Sequence, residues 1–341
     1  MSASVKIGAG AGARPWWIGG AEDKGQWTQL PANVTAEKML ELAGIAHTVG
    51  KSPLFTYPTK DAYARKEPVR VPGMFAMIRQ EQDGTTLPIP GVCVGEDYKP
   101  IQVGEAFAFG DDLLNASQGG EAPAHWHTAG ELLDGTIWAL AQIDKELYVA
   151  GDKIESYFLF STKHDGKSSF RCKLTKTRVV CKNTLGMANN DGTPHDWSTR
   201  HTQFYQARME EARRVLRLTT KAHAAWEESA KELLAVTIRK TDNDFKHLMD
   251  ALFPVAENLR NVDAINTQRT VFLRVLGKPD LENVKETGWG IVNAAADYEQ
   301  HFKSIRTSDQ DKVVQTLFRR SFSSDAPSSL VTKAKEFVLT L

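Results

Sequence analysis

The apolar residues of this chain change their spacing once, and that change limits the fold more than any single motif. Up to about residue 200 they fall in short β-branched or aromatic runs broken by Pro and Gly. Beyond Thr202 they recur at helical spacing among Ala, Glu, Arg and Leu. A chain of 341 residues is long enough for more than one core. An α+β architecture follows, with an N-terminal β-meander and helix core and then a mostly helical C-terminal half. Composition divides the chain into a glycine-rich head with a Trp pair (1–34), a mixed core domain (35–200) and a helical domain (201–341).

Gly8, Gly10 and Gly12 argue against a helix in the head, because each Gly costs about 1 kcal/mol in a helix interior relative to Ala. A mobile segment leading to Trp16 and Trp17 is the expectation. Thr35 is suited to cap a short helix through Ala43, which Gly44 stops. Strands are expected at 53–57, 73–78 and 91–95, with Gln82-Asp83-Gly84 as a turn, then at 135–141, 155–160 and 169–180. Helices are expected at 105–114, over 203–238 as one helix or two, and at 242–253, 289–302, 309–322 and 328–339, punctuated by Pro254, Pro279 and Pro327.

Several chemistries find little support. Forty-two basic residues balance forty-two acidic ones, so no global field attracts polyanions. Cys93, Cys172 and Cys181 form no C-x-x-C pair, which fits a reducing cytoplasm, and no apolar run has the length of a membrane span. Gly50-Lys51-Ser52 imitates the end of a phosphate loop, but the first Gly is missing from its required place and a helix precedes it. No G-x-S-x-G marks a serine nucleophile. His125 and His127, with Asp111, Asp112 or Glu131, offer metal ligands without a diagnostic spacing, and structural or surface histidines are the plainer reading. No catalytic residue, cofactor or metal is therefore assigned.

One segment stands out. Lys163, Lys167, Arg171, Lys173, Lys176, Arg178 and Lys182 are opposed only by Asp165, a local charge of +6 in a neutral chain. Phe170, Cys172 and Leu174 alternate with Arg171, Lys173 and Thr175, which predicts a strand with one apolar and one cationic face. With Arg200 beside it, this strand is a candidate track for nucleic-acid phosphates. The plainer reading is a solvated face paired with acids such as Glu210 and Glu211. Tyr157, Phe158, Phe160 and Phe170 lie nearby in sequence, as base-stacking platforms or as core.

A resemblance sharpens these expectations. The runs Tyr98-Lys99-Pro100-Ile101-Gln102, Glu105-Ala106-Phe107, Thr128-Ala129-Gly130, Tyr157-Phe158-Leu159 and His164-Asp165-Gly166 carry the first part of it. Thr177-Arg178-Val179-Val180-Cys181-Lys182-Asn183-Thr184-Leu185, His201, Thr287-Gly288-Trp289-Gly290-Ile291-Val292-Asn293-Ala294 and Lys333-Ala334 complete it. Together they resemble the phage/plasmid-like family of unknown function (domain of unknown function 932), from about Pro15 to Val338. The family's usual Pro-Trp-His-Gly head is here Pro15-Trp16-Trp17-Ile18, so no role for that His carries over. The arrangement is also similar to single-strand annealing proteins of the RecT, Red-beta and Rad fifty-two type.

The resemblance implies an ATP-independent protein of phage or plasmid recombination and DNA repair that binds single-stranded DNA and anneals it in the bacterial cytoplasm. It further implies a homo-oligomeric ring or filament and a phage exonuclease or single-strand binding protein as partner. Two alternatives stand beside it: a protein that binds and modulates a host protein, such as a defence inhibitor, without touching DNA, and a metal-dependent nuclease.

Overall fold

The computed structural model describes residues 5–10, 27–31, 33–118, 123–132, 134–178, 183–184, 196–202, 205–207, 219–255, 262–323 and 328–341. The architecture is α+β, with antiparallel sheets in the N-terminal part and mostly helices in the C-terminal half. Two compact units interleave along the chain. One comprises Met1–Gln142, Phe158–Lys173 and Asp196–Arg217, the other Ile143–Tyr157, Leu174–His195 and Leu218–Leu341. The expected segments 1–34, 35–200 and 201–341 follow composition, whereas the compact units are discontinuous in sequence.

In the first unit, Thr35 caps α1 (Ala36–Leu42) by accepting the Lys38 N–H, and Gly44 leaves the helix at φ +65°. A three-stranded antiparallel sheet follows in the order β3 (Thr48–Thr56), β4 (Val69–Gln80), β5 (Thr86–Gly95). A short helix α2 (Lys60–Ala64) joins β3 to β4, and Asp83 Oδ1 accepts the Thr85 N–H in the tight turn to β5. Gly50-Lys51-Ser52, the phosphate-loop imitation, lies inside β3, where Lys51 donates to the Glu96 carbonyl. Pro88 and Pro90 sit on β5, an edge strand, where a missing N–H breaks no sheet interior.

The larger sheet runs β10 (Asn183–Thr184), β9 (Ser169–Arg178), β8 (Asp152–Thr162), β7 (Ile137–Val149), β6 (Ala124–Leu132), β1 (Val5–Gly10), β2 (Trp27–Gln29), with β11 (Asp196–Arg200) also paired to β9. The expected mobile head is corrected in part: Val5–Gly10 is a strand, antiparallel to β6 and parallel to β2. The glycine argument concerned helices, and extended backbone is open to Gly once neighbours supply its hydrogen bonds. Trp16 and Trp17 lie outside the described residues. Strands β6 and β11 and the helix Val262–Leu276 were not foreseen.

Helix α3 (Val103–Gln118) covers the first unit's core through Ala106, Phe107, Phe109, Leu113 and Leu114. Trp126 and Phe160 meet there at a tilt with ring centroids 5.2 Å apart, and Phe109 meets Trp197 at 5.8 Å. Gly110 is required by this packing, because a Cβ would stand 2.5 Å from the Trp126 ring.

The second unit is built on Gly288–Asp297, a helix whose residues are all buried. Thr287 caps it, and Gly288 and Gly290 let its first turn approach Val338 and the Val284 carbonyl, positions a Cβ would overlap. Around it pack Leu147, Val149 and Ile154 from β7 and β8 and the helices Thr219–Ala235, Asn243–Leu252, Val262–Leu276 and Leu330–Val338. Of the helical stretch expected over 203–238, residues 205–207 and Thr219–Ala235 are helical among those described.

Candidate nucleic-acid interface

The turn between β8 and β9 is made by His164-Asp165-Gly166. Asp165 Oδ1 accepts the Lys167 and Ser168 N–H groups at 2.9 and 2.7 Å, and Gly166 takes φ +76°. Burial works to raise the Asp165 carboxyl, and these hydrogen bonds overcome it, holding the group below the ordinary carboxylate range. Lys163, at the start of the supposed track, faces inward: its Nζ is 2.9 Å from Asp134 and 3.8 Å from Asp165. The Asp134 carboxyl is likewise depressed, the Lys163 ammonium and Thr136 outweighing its burial.

Beside this turn opens a pocket of about 710 Å³. Arg79 lies in its wall, with Nε 2.7 Å from Glu81 and a terminal nitrogen donating to Glu131 Oε1 at 2.6 Å. Arg79 and Lys163 there meet Glu81, Glu131, Asp134 and Asp165, two cations against four carboxylates. A phosphate would find a net negative wall. The pocket is no part of a phosphate track.

The strand β9 departs from the expected two-faced pattern. Phe170 and Cys172 are buried as predicted, but Lys173 on the opposite face is only 1% exposed. That corrects its assignment as a solvent-facing phosphate contact: alternation along β9 says which face a side chain takes, not whether that face meets solvent, and packing encloses Lys173. What remains is shorter. Ser198 lies opposite Arg171 and Arg200 opposite Ser169, so both guanidinium residues and both serines share one face. Arg200 and Ser198 are exposed, Arg171 and Ser169 half-buried, and Lys167 is exposed at the turn. Lys176 and Arg178 continue β9, their backbone alone being described, and Lys182 lies outside the described residues. Phe158, Phe160 and Phe170 are core, and so is Tyr157, whose hydroxyl donates to Glu155 at 2.6 Å.

A family model described as Domain of unknown function (DUF932) matches residues 92–319, about two thirds of the chain. The chain belongs to the DUF932 family. The match contains the β8–β9 turn, the β9/β11 face and the buried helix of the second unit, and is narrower than the expected span from Pro15 to Val338. No curated protein and no solved structure matches this DUF932 chain. Nothing among these comparisons connects it to the RecT, Red-beta and Rad fifty-two type.

Two of the DUF932 residues singled out as metal ligands, Asp111 and Glu131, are otherwise engaged. Asp111 accepts the Trp126 indole N–H at 2.6 Å and the Ala36 N–H at 2.8 Å, and Glu131 holds Arg79. Among the described residues no three His, Cys, Asp or Glu side chains are grouped to hold a metal ion. No helix among them is long and apolar enough to cross a membrane.

Proposed function

We propose that this DUF932 protein binds single-stranded DNA through the β9/β11 face and promotes annealing, without ATP or a bound metal. The observation that supports the reading is the register that sets Arg171 and Arg200 on one face between two serines, with Lys167 at its end. Guanidinium groups fork onto phosphate oxygens, and serine hydroxyls add neutral hydrogen bonds. Three cations per chain make a short footprint, so copies arrayed as a ring or filament would hold one strand at many points, leaving its bases open to a complement. A phage exonuclease or single-strand binding protein would deliver that strand.

The test is fluorescence anisotropy of a labelled oligonucleotide across salt concentrations, followed by addition of the complement without nucleotide or divalent ion. Wild type should bind more weakly as salt rises and should accelerate pairing. Replacing Lys167, Arg171 and Arg200 together by Ala should lower both affinity and salt dependence. Retention of both by the triple variant would remove the assigned face. Absence of any binding at low salt would favour the host-protein alternative.

A further inference from the structure

We infer that the outer end of the β3–β4 hairpin, with α2 at its tip, is a second single-strand contact that stacks unpaired bases on Tyr57 and Tyr63. The inference rests on the proposed function and adds a surface outside the β9/β11 face.

The sheet's own core is small, formed by Val49, Met77 and Val94 with Phe75, Ile89, Val92 and Tyr98 around it. It does not reach the tip. From Phe55 to Arg70 every described side chain is exposed, including Phe55 at 54%, Tyr57 at 42% and Tyr63 at 69%. Large aromatic rings grouped in solvent on one hairpin contribute nothing to the sheet's core. Tyr57 and Tyr63 meet edge to face, 5.1 Å between centroids and 83° between planes, so the edge of one covers one face of the other and the remaining ring surface meets solvent. Cations accompany them: Lys60, Arg65, Lys66 and Arg70 against Asp61 and Glu67 leave a net charge of +2. Arg70, opposite Phe55 in the ladder, also holds its guanidinium 6.0 Å from the Phe75 ring.

Ring faces for stacking and adjacent cations for phosphates are what an unpaired strand presents partners for. Duplex DNA, with its base faces stacked inside, would use the cations alone. A protein or membrane surface would use the apolar area without a salt-dependent term in oligonucleotide binding.

The experiment measures binding of labelled oligothymidylate by wild type, by Tyr57→Ala/Tyr63→Ala and by Tyr57→Phe/Tyr63→Phe, with circular dichroism to confirm folding. The Ala pair should weaken binding about tenfold or more with the salt slope unchanged, because stacking is lost and no phosphate contact is. The Phe pair should bind as wild type. If wild type binds and the Ala pair binds equally well, the hairpin inference falls while the proposed function stands. If wild type itself fails to bind at low salt, both fall, and the hairpin is a protein-binding or membrane-binding surface.

Discussion

His164 and His201 hold the two ends of one residue: His164 Nε2 donates to the Ile101 carbonyl at 2.8 Å, and His201 Nδ1 accepts the Ile101 N–H at 3.0 Å. Their rings lie 5.0 Å apart, and Tyr98 stacks on His201 at 5.4 Å. An Nδ1 that accepts carries no proton, so His201 is neutral in the fold. Burial pushes its pKa down to about 3, with His164 adding to the effect, and burial lowers His164 as well. Two histidines that the sequence offered as family markers thus fasten the start of α3 to the β8–β9 turn.

That arrangement predicts acid sensitivity with a defined sign. The unfolded chain takes up a proton at His201 as pH falls below 6.5, and the folded chain does so only near 3. The stability is therefore complete above pH 6.5 and declines by about 1.4 kcal/mol per pH unit between those values. In His201→Asn, whose side-chain oxygen can accept the Ile101 N–H, urea midpoints should fall less steeply from neutral pH towards pH 4.5. Equal slopes in wild type and variant would refute the neutral, buried assignment.

Buried Lys173 and exposed Arg200 should part company in DNA binding. Arg200→Met should reduce the logarithmic salt slope by about 0.7, the value for one lost phosphate contact on a single strand. Lys173→Met should leave that slope where it was, since its ammonium does not reach solvent. A reduced slope in Lys173→Met would place that side chain on the strand after all.

Packing at Gly110 gives a sharper contrast. Trp126 is pinned by its indole N–H to Asp111, so it cannot retreat from a new methyl group. Gly110→Ala should cost about 1–3 kcal/mol. Gly104, in the same helix, has nothing within 4 Å of the place a Cβ would take, and Gly104→Ala should stabilise by about 0.5–1 kcal/mol. Thermal unfolding followed by circular dichroism measures both, and shifts of the same sign would contradict this account.

In the second unit the Cβ of Gly290→Ala would overlap the Val284 carbonyl, a backbone atom that no rotamer change can move. The variant should lose about 3 kcal/mol or more, or fail to accumulate as folded protein. Gly277→Ala, which meets only an ordinary 3.4 Å contact, serves as the control. Near-wild-type stability of Gly290→Ala would exclude the close approach described.

Local signals were legible wherever one residue type satisfies a backbone requirement. Thr35 capping α1, Asp83-Gly84 turning β4 into β5 and Asp165-Gly166 turning β8 into β9 all depend on side chains bonding backbone a few residues away. Strand β6 was less legible because His125 and His127 interrupt its apolar run, and β11 because five residues carry little periodicity. The cationic face was legible as a composition. Its members separated only when their neighbours were placed.

The caps and the tight turns are properties of short stretches of chain, and the sequence alone determined them because their hydrogen bonds close within a few residues. Partners distant in sequence decided the rest. Asp134 turned Lys163 inward, packing buried Lys173, and β6 gave Val5–Gly10 a ladder that glycine content alone did not announce. Burial and ion pairing are properties of two or more segments at once, so which of Lys163, Lys167, Arg171, Lys173 and Arg200 reach solvent was settled by tertiary structure.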